Sequence, residues 1–280
     1  MKEIKNRIKS VESTKQITKA MELVSSSKFR KAKEKAESTR FYFEALYTTV
    51  NDISKNANGN KNIFLKQREI KKVCYIVIAG DRGLAGGYNS NILKTVMAHN
   101  KLENSAVISI GKKAKDSLSK RNFEIIDSID TVEDATYEDA ARIAEVAMEA
   151  YRKGEIDEVN LVYTKFVNAL TQEPKLIKLL PVTIDKEVKV ERKSGPVVQY
   201  LPSPEAVLGY IIPKYISGSI YGAIAESYAS EQAARRTAME SATDNANEMI
   251  AKLELVYNRA RQAAVTQEIT EIVSGAAQAK

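Results

Sequence analysis

Residues 239–263 read MESATDNANEMIAKLELVYNRARQA, and the spacing of their apolar side chains decides the fold. Met239, Ala242, Ala246, Met249, Leu253, Val256, Ala260 and Ala263 are separated by alternating steps of three and four, the repeat of a coiled-coil seam. Upstream, Ser203-Pro204-Glu205 is a helix start, with a capping serine and proline at the first helical position. Pro213 and Gly218 lie inside the pattern and are expected to kink or weaken its first turns. Unbroken from 203 to Gly275, the helix would reach about 110 Å, too long for a globular core.

The other end carries a matching pattern. Neither Gly nor Pro occurs between Glu3 and Ile53. Ile4, Ile8 and Val11 begin a stripe whose register is expected to slip near Lys15 and to resume at Ile17, Met21 and Val24. Phe29, Ala32, Ala36, Thr39, Phe43, Leu46, Val50 and Ile53 then alternate steps of three and four, with one polar position. This helix would be roughly 75 Å long. It ends at Asn56-Ala-Asn-Gly-Asn60, a turn signal. Helices of this length are marginal unless another surface covers the seam. Antiparallel pairing of the two ends around a compact middle provides that cover; separate coiled coils with other chains are the alternative.

The middle reads as alternating strands and helices. Strands are expected at 72–79 (KVCYIVIA), 106–110, 123–126, 159–166 and 175–182, and helices at 88–100, 112–120 and 137–153. That alternation indicates a mostly parallel, Rossmann-like sheet. The expected organisation is an N-terminal coiled-coil helix (1–55), a central α/β domain (56–202) and a C-terminal coiled-coil helix (203–280), an α/β plus coiled-coil fold.

Charge is concentrated in one element. Residues 1–40 hold 12 Lys and Arg against 5 Asp and Glu, whereas the rest of the chain balances at 31 of each. A basic helix suits nucleic acid, an acidic membrane surface or an acidic protein partner, and confinement to one element favours the protein partner. No apolar run exceeds eight residues, far short of a bilayer span. The charged, Glu-interrupted start is neither a secretory signal nor a transit peptide. One cysteine excludes an internal disulfide, and Cys74 in its apolar strand is expected to be a buried small hydrophobe.

Several segments invite a chemical reading. Residues 80–89 (GDRGLAGGYN) follow a strand and precede a helix, as phosphate loops do, yet match neither GxGxxG nor GxxxxGK[ST]. They are read as a tight turn whose glycines permit close packing, with a nucleotide-binding α/β enzyme kept as the alternative. His99, the one histidine, lacks metal or triad partners and is read as a helix C-terminal charge. Asp127, Asp130, Glu133, Asp134, Glu138 and Asp139 lack calcium-loop spacing and are read as a solvated loop. Neither catalytic residue, metal site nor cofactor is therefore expected. Near the C-terminus polar residues crowd 258–271, and a small, apolar tip follows at 272–279. Such a tip suggests insertion into an apolar sleeve on a partner.

Three motifs in order carry a resemblance. IKSVESTKQITKAMELVSSSKFRKA (8–32), DRGLAGGYN (81–89) and SEQAARRTAMESATDNANEMIAKLELVYNRARQAAVTQEITEIVSGAA (230–277) resemble the signatures of the gamma subunits of F-type ATP synthases. The resemblance runs from end to end, and the lack of a leader is expected of a bacterial member. It implies a non-catalytic central shaft that turns inside a hexamer of alpha and beta subunits. Its foot would be fixed with the epsilon subunit to the membrane c-ring, and delta would be reached indirectly. Location would be peripheral, at the cytoplasmic face of the cell membrane, with no nucleic-acid partner. By motif, Arg261, Gln262, Thr266 and Glu268 correspond to a contact with a beta-subunit loop. Lys19, Leu23, Lys28, Arg30 and Lys31 correspond to a basic face toward the acidic lever loop of beta, which Arg82 and Lys94 would extend. Tyr200 and Leu201 correspond to the foot at the c-ring. The chain departs from common family residues at Leu23 (often Met), Ala85 (often Cys) and Leu201 (often acidic).

Overall fold

The computed structural model describes residues 1–56, 62–100, 105–183 and 200–278. The turn signal after Asn56 lies outside them. Ten elements follow in order: α1 (Lys2–Asn56), β1 (Val73–Ile78), α2 (Tyr88–His99), β2 (Ser105–Ile110), α3 (Lys112–Ser119), β3 (Glu124–Ile129), α4 (Tyr137–Lys153), β4 (Glu158–Phe166), β5 (Gln172–Leu180) and α5 (Pro204–Gln278). By compactness the chain divides into two units, Met1–Ser25 with Arg236–Lys280, and Ser26–Arg235.

The larger unit is built on a five-stranded sheet of order β3-β2-β1-β4-β5. Four strands are parallel and β5 closes the edge antiparallel to β4. This is the doubly wound order, in which crossover helices cover both faces. Successive β1 residues accordingly serve two cores. Cys74, Ile76 and Ile78 face α4, Val50 and Ile53 of α1, and Ile212, Ile216 and Ile220 of α5. Val73, Tyr75 and Val77 face Ile92 and Val96 of α2 and Leu118 of α3. Local chemistry fixes the helix ends: Thr136 and Asp139 form a reciprocal capping box on α4, and Gly154 ends it in the left-handed region.

In the same unit the terminal helices run antiparallel. Phe43 of α1 lies over Gly218 and Gly222 of α5, and Tyr47 meets Tyr215. The expected weakening at Pro213 and Gly218 does not interrupt the element, because α5 continues through both. Gly218 has a packing role: a Cβ there would lie 2.5 Å from the Phe43 ring, and one at Gly222 2.6 Å. The two glycines form a socket for one aromatic ring.

The smaller unit shows the same antiparallel pairing, with a seam that differs from the sequence expectation. Along α1 the buried and half-buried positions include Ile4, Ile8, Val11, Lys15, Thr18, Met21, Glu22 and Ser25, and the stripe continues through Phe29 to Ile53 in steps of three and four; Met21 is thus half-buried as expected, beside Glu22. There is no slip at Lys15. The heptad simply passes through polar residues, while Ile17 and Val24 point outward at 58% and 56% exposure. On α5 Met239, Thr243 and Ala246 are buried and Ala242, Ile250, Leu253, Tyr257, Ala260 and Ala264 half-buried. Three positions thus sit one residue beyond the expected Met249, Val256 and Ala263, and at the fourth Thr243 is buried deeper than the expected Ala242. Thr18 and Thr243 explain the shift, their hydroxyl oxygens being 2.8 Å apart across the seam. Each hydroxyl also lies within hydrogen-bonding distance of a carbonyl of its own helix. With two protons for three contacts, one hydroxyl donates across the seam and the other donates back.

The glycine socket gives a test. Gly222→Ala gains about 1 kcal/mol of helix propensity, but overpacking against Phe43 costs about 1–3 kcal/mol. The expected net result in urea denaturation is a loss of about 1 kcal/mol, relieved when Phe43→Leu is added. A more stable single variant would show that the ring has room to move.

Candidate functional site

The loop after β1 is held from within. The Gly80 N–H donates to Asn89 Oδ1 at 2.8 Å, and Asn89 Nδ2 donates to the Arg82 carbonyl at 3.1 Å, so the last residue of the motif closes the loop on its start. Asp81 accepts from the Val132 N–H at 3.0 Å, tying the loop to the segment after β3. Between these anchors Leu84 adopts a positive φ of 62° and is 63% exposed, while Ala85 is buried.

What the loop grips is α5. A Cβ at Gly80 would lie 2.7 Å from the Glu231 carboxylate, so the glycine leaves the room that the carboxylate occupies. Glu231 pairs with Arg235 at 2.6 Å, and both are buried. Arg235 also donates to the Gly83 carbonyl at 3.3 Å, and the buried Tyr88 hydroxyl donates to the Ser227 carbonyl at 3.0 Å. A carboxylate occupies the space beside Gly80 that a phosphate loop keeps for its anion, and Asn89 already uses the Gly80 N–H. The nucleotide alternative therefore loses its one structural support.

The end of β4 is held by the same helix. Ladder pairing with β1 ends at Val162. Beyond it the Thr164 N–H donates to Ser227 Oγ at 3.1 Å, and Ser230 Oγ donates to the Thr164 carbonyl at 3.3 Å. The Phe166 N–H donates to Glu226 Oε1 at 3.1 Å. Side chains of α5 thus replace the missing neighbouring strand, as buried backbone groups require. None of Glu226, Ser227, Ser230, Glu231 or Arg235 stands out in sequence, where Glu231 and Arg235 look like a solvated i,i+4 pair.

Burial dominates the electrostatics here. It raises the Glu231 carboxyl, with Arg235 opposing and Asp81 and Glu133 adding to the rise. Burial also raises Asp81 against its backbone donors, and raises Glu226 against the Phe166 N–H. At Glu133 burial pushes upward, but hydrogen bonds from Lys28 and Tyr228 and nearby cations more than offset it, leaving the carboxyl below its usual range. Burial pushes the Cys74 thiol up to about 12, leaving it unreactive. His99 is in the last turn of α2, with Nδ1 3.0 Å from the Tyr75 hydroxyl. The acidic stretch from β3 to the start of α4 is largely engaged in ion pairs. Asp127 pairs with Arg142, Asp130 with Lys115 and Glu133 with Lys28. Among the described residues no group of three or more His, Cys, Asp or Glu is placed to hold a metal.

The residues marked by motif occupy separate surfaces. In the larger unit Lys28 is engaged by Glu133 at 2.7 Å, whereas Arg30 and Lys31 are exposed. Lys28, Lys31 and Lys35 border a groove of about 300 Å³ floored by Ala32, Ile224 and Tyr228. Arg82 and Lys94 are exposed. Tyr200 donates to Asp52 at 3.0 Å, beside an exposed Leu201. In the smaller unit Lys19 pairs with Glu22 at 3.0 Å and Leu23 is 60% exposed. Arg261, Gln262, Thr266 and Glu268 are all exposed, and Thr266 donates to the Gln262 carbonyl at 2.9 Å. Around them Val265, Ile269, Ile272 and Val273 are also exposed.

The buried ion pair makes a prediction with a sign. Arg235→Met strands Glu231 and is expected to cost about 3 kcal/mol at pH 8. Because the folded pKa of Glu231 lies above its unfolded value, protonation favours the folded state, so stability rises as pH falls through the folded pKa toward the unfolded one. The deficit of the variant relative to the unaltered chain should therefore shrink between pH 8 and pH 5.5 in urea titrations. Adding Glu231→Gln should abolish that pH dependence; a deficit that grows on acidification would contradict the assignment.

The comparisons with known proteins agree with one another. The ATP synthase family model matches residues 1–278. The ATP synthase gamma chain of Alkaliphilus metalliredigens is 49% identical over 281 residues, covering 99% of this chain and 97% of that one. That of Ruminococcus albus is 50% identical, covering 98% and 96%. The "ATP synthase gamma chain, sodium ion specific" of Acetobacterium woodii is 45% identical, covering 99% and 97%. Among solved structures, a chain of the central stalk and c-ring of Tetrahymena thermophila mitochondrial ATP synthase matches at TM-score 0.63 and 27% identity, covering 81% of this chain and 99% of that one. A chain of the Euglena gracilis mitochondrial ATP synthase rotor shares the fold at TM-score 0.65 and 19% identity, covering 94% and 98%. With a family match along almost its whole length and full-length relatives of this similarity, the chain belongs to the ATP synthase gamma chain family.

Proposed function

We propose that the chain is the central rotor shaft of an F-type ATP synthase, coupling ion flow through the membrane c-ring to ATP synthesis or hydrolysis on the beta subunits. It is a non-catalytic subunit. One observation carries this reading. Counting back along both helices from Thr18 opposite Thr243 puts Met1 opposite Ala260, so α5 outruns α1 by about 18 residues, or ~27 Å. A lone helix of that length is marginal in water, and its Val265, Ile269, Ile272 and Val273 are left exposed by the described residues. An apolar sleeve formed by surrounding subunits supplies both the support and a surface on which the helix can turn.

In this reading residues 1–55 and 203–280 form the shaft, and 56–202 the foot domain. Arg261, Gln262, Thr266 and Glu268 meet a beta-subunit loop. Lys19, Leu23, Arg30 and Lys31 face the acidic lever of beta, while Lys28 is partly neutralised by Glu133. Tyr200, fixed by Asp52, and the exposed Leu201 meet the c-ring with epsilon alongside. The protein sits at the cytoplasmic face of the cell membrane and touches the membrane through its partners; no helix among the described residues is long and apolar enough to cross it.

A tagged chain is expected to bring down alpha, beta and epsilon subunits from native membranes, and failure to do so would refute the proposal. Reversing charge at Arg261 and Glu268 together should lower coupled ATP synthesis about tenfold, equivalent to ~1.4 kcal/mol, with assembly retained. Unchanged synthesis would remove these residues from the contact.

A further inference from the structure

From Ala223 to Arg235 helix α5 is nearly enclosed, and apart from Ile224 and Tyr228 its apolar packing is done by small side chains. Ala223, Ala225, Ala229 and Ala233 are buried, as are Ser227 and Ser230. Small side chains leave shallow ridges, so packing alone sets little resistance to the helix rolling about its axis. Directional contacts must fix that angle. Four lead from α5 side chains to backbone atoms of the α/β sheet and its first loop, and a fifth leads from the Tyr88 side chain to an α5 carbonyl. Ser227 and Ser230 bracket Thr164, Glu226 takes the Phe166 N–H, Tyr88 donates to the Ser227 carbonyl, and Arg235 donates to the Gly83 carbonyl. Each pairs a backbone atom with a single side chain, so a roll larger than that side chain can track breaks the contact.

We propose that the 80–89 loop and the end of β4 beyond its pairing with β1 form a torsional clamp on α5, through which the α/β domain and the helix exchange torque. The proposal rests on the shaft reading. It assigns a mechanical role to the DRGLAGGYN segment and to Glu226, Ser227, Ser230 and Arg235. A roll of α5 would break the contacts together, leaving buried donors without partners, which makes the joint stiff in twist. The Glu231–Arg235 pair orients the guanidinium for its bond to Gly83, and Gly80 leaves the room this needs.

The test uses the assembled complex. Because Cys74 is buried, a cysteine introduced at the exposed Lys120 gives a specific site for a gold rod on the α/β domain. Angular fluctuation during the ATP-waiting dwell then reports torsional stiffness. Tyr88→Phe with Glu226→Leu removes two of the five contacts and is expected to raise the angular variance about twofold. Tyr88→Phe with Glu226→Gln, which keeps an acceptor for the Phe166 N–H, should recover about half of that change. Thermal melting of the complex separates a soft joint from an unfolded one. If the double variant does not assemble, Tyr88→Phe alone decides. A variance equal to that of the unaltered complex, in whichever variant assembles, overturns the clamp while leaving the shaft reading intact. An unaltered complex that does not rotate overturns the shaft reading, and the clamp with it.

Discussion

A helix of 75 residues is not held in water by its own hydrogen bonds, and the rest of this structure follows from covering α5. Its cover changes along its length. The first third is enclosed by the sheet, α4 and α1, and is correspondingly rich in Ile, Ala, Gly and Ser. From Arg236 onward only α1 lies alongside, and a single stripe is buried. Past Ala264, among the described residues, the helix is exposed all round as far as Ser274. Composition tracks this sequence of environments: small side chains gather where three elements crowd the helix, and at the uncovered end polar residues alternate with the exposed Val265, Ile269, Ile272 and Val273.

The same constraint explains why the pairing of α1 and α5 tolerates polar seam positions. Lys15, Thr18, Glu22 and Ser25 lower the apolar area buried, and with it the stability of that stretch. In exchange, the Thr18–Thr243 contact fixes the register, as a single polar position does in other coiled coils. Apolar residues freed from the seam, Ile17, Leu23 and Val24, are displayed outward instead. A shaft that must offer a surface to its surroundings cannot spend all its apolar side chains on itself.

These exchanges mark where sequence reading succeeds and where it stops. Residues 29–53 follow the seam almost without exception, because hydrophobicity and burial coincide there. The strands and helices of the middle are legible for the same reason, to within a few residues at each end. Residues 15–25 are misread because burial of a polar side chain depends on a partner 225 positions away. On α5, Ala242 and Thr243 are neighbours separated by about 100° around the axis. Hydrophobicity favours Ala242, whereas the contact to Thr18 favours Thr243. The clasp around Gly80 is the extreme case: Glu231 and Arg235 have the spacing of a surface pair, and only the approach of a glycine loop reveals them as buried.

That clasp also answers a question the fold raises. An α/β sheet of this order carries its functional loop at the carboxyl end of β1, where related architectures bind a phosphate. Here the loop keeps the strand–turn–helix geometry and the close backbone approach, but the anion it receives is Glu231, a side chain of the chain's own α5. Arg235 then neutralises that carboxylate as a bound cation would. A geometry suited to holding a ligand is in this way turned to holding a helix, and Asn89, which closes the loop on Gly80, is what keeps it in shape. Gly80 follows from the grip and Gly86 from its positive φ of 56°.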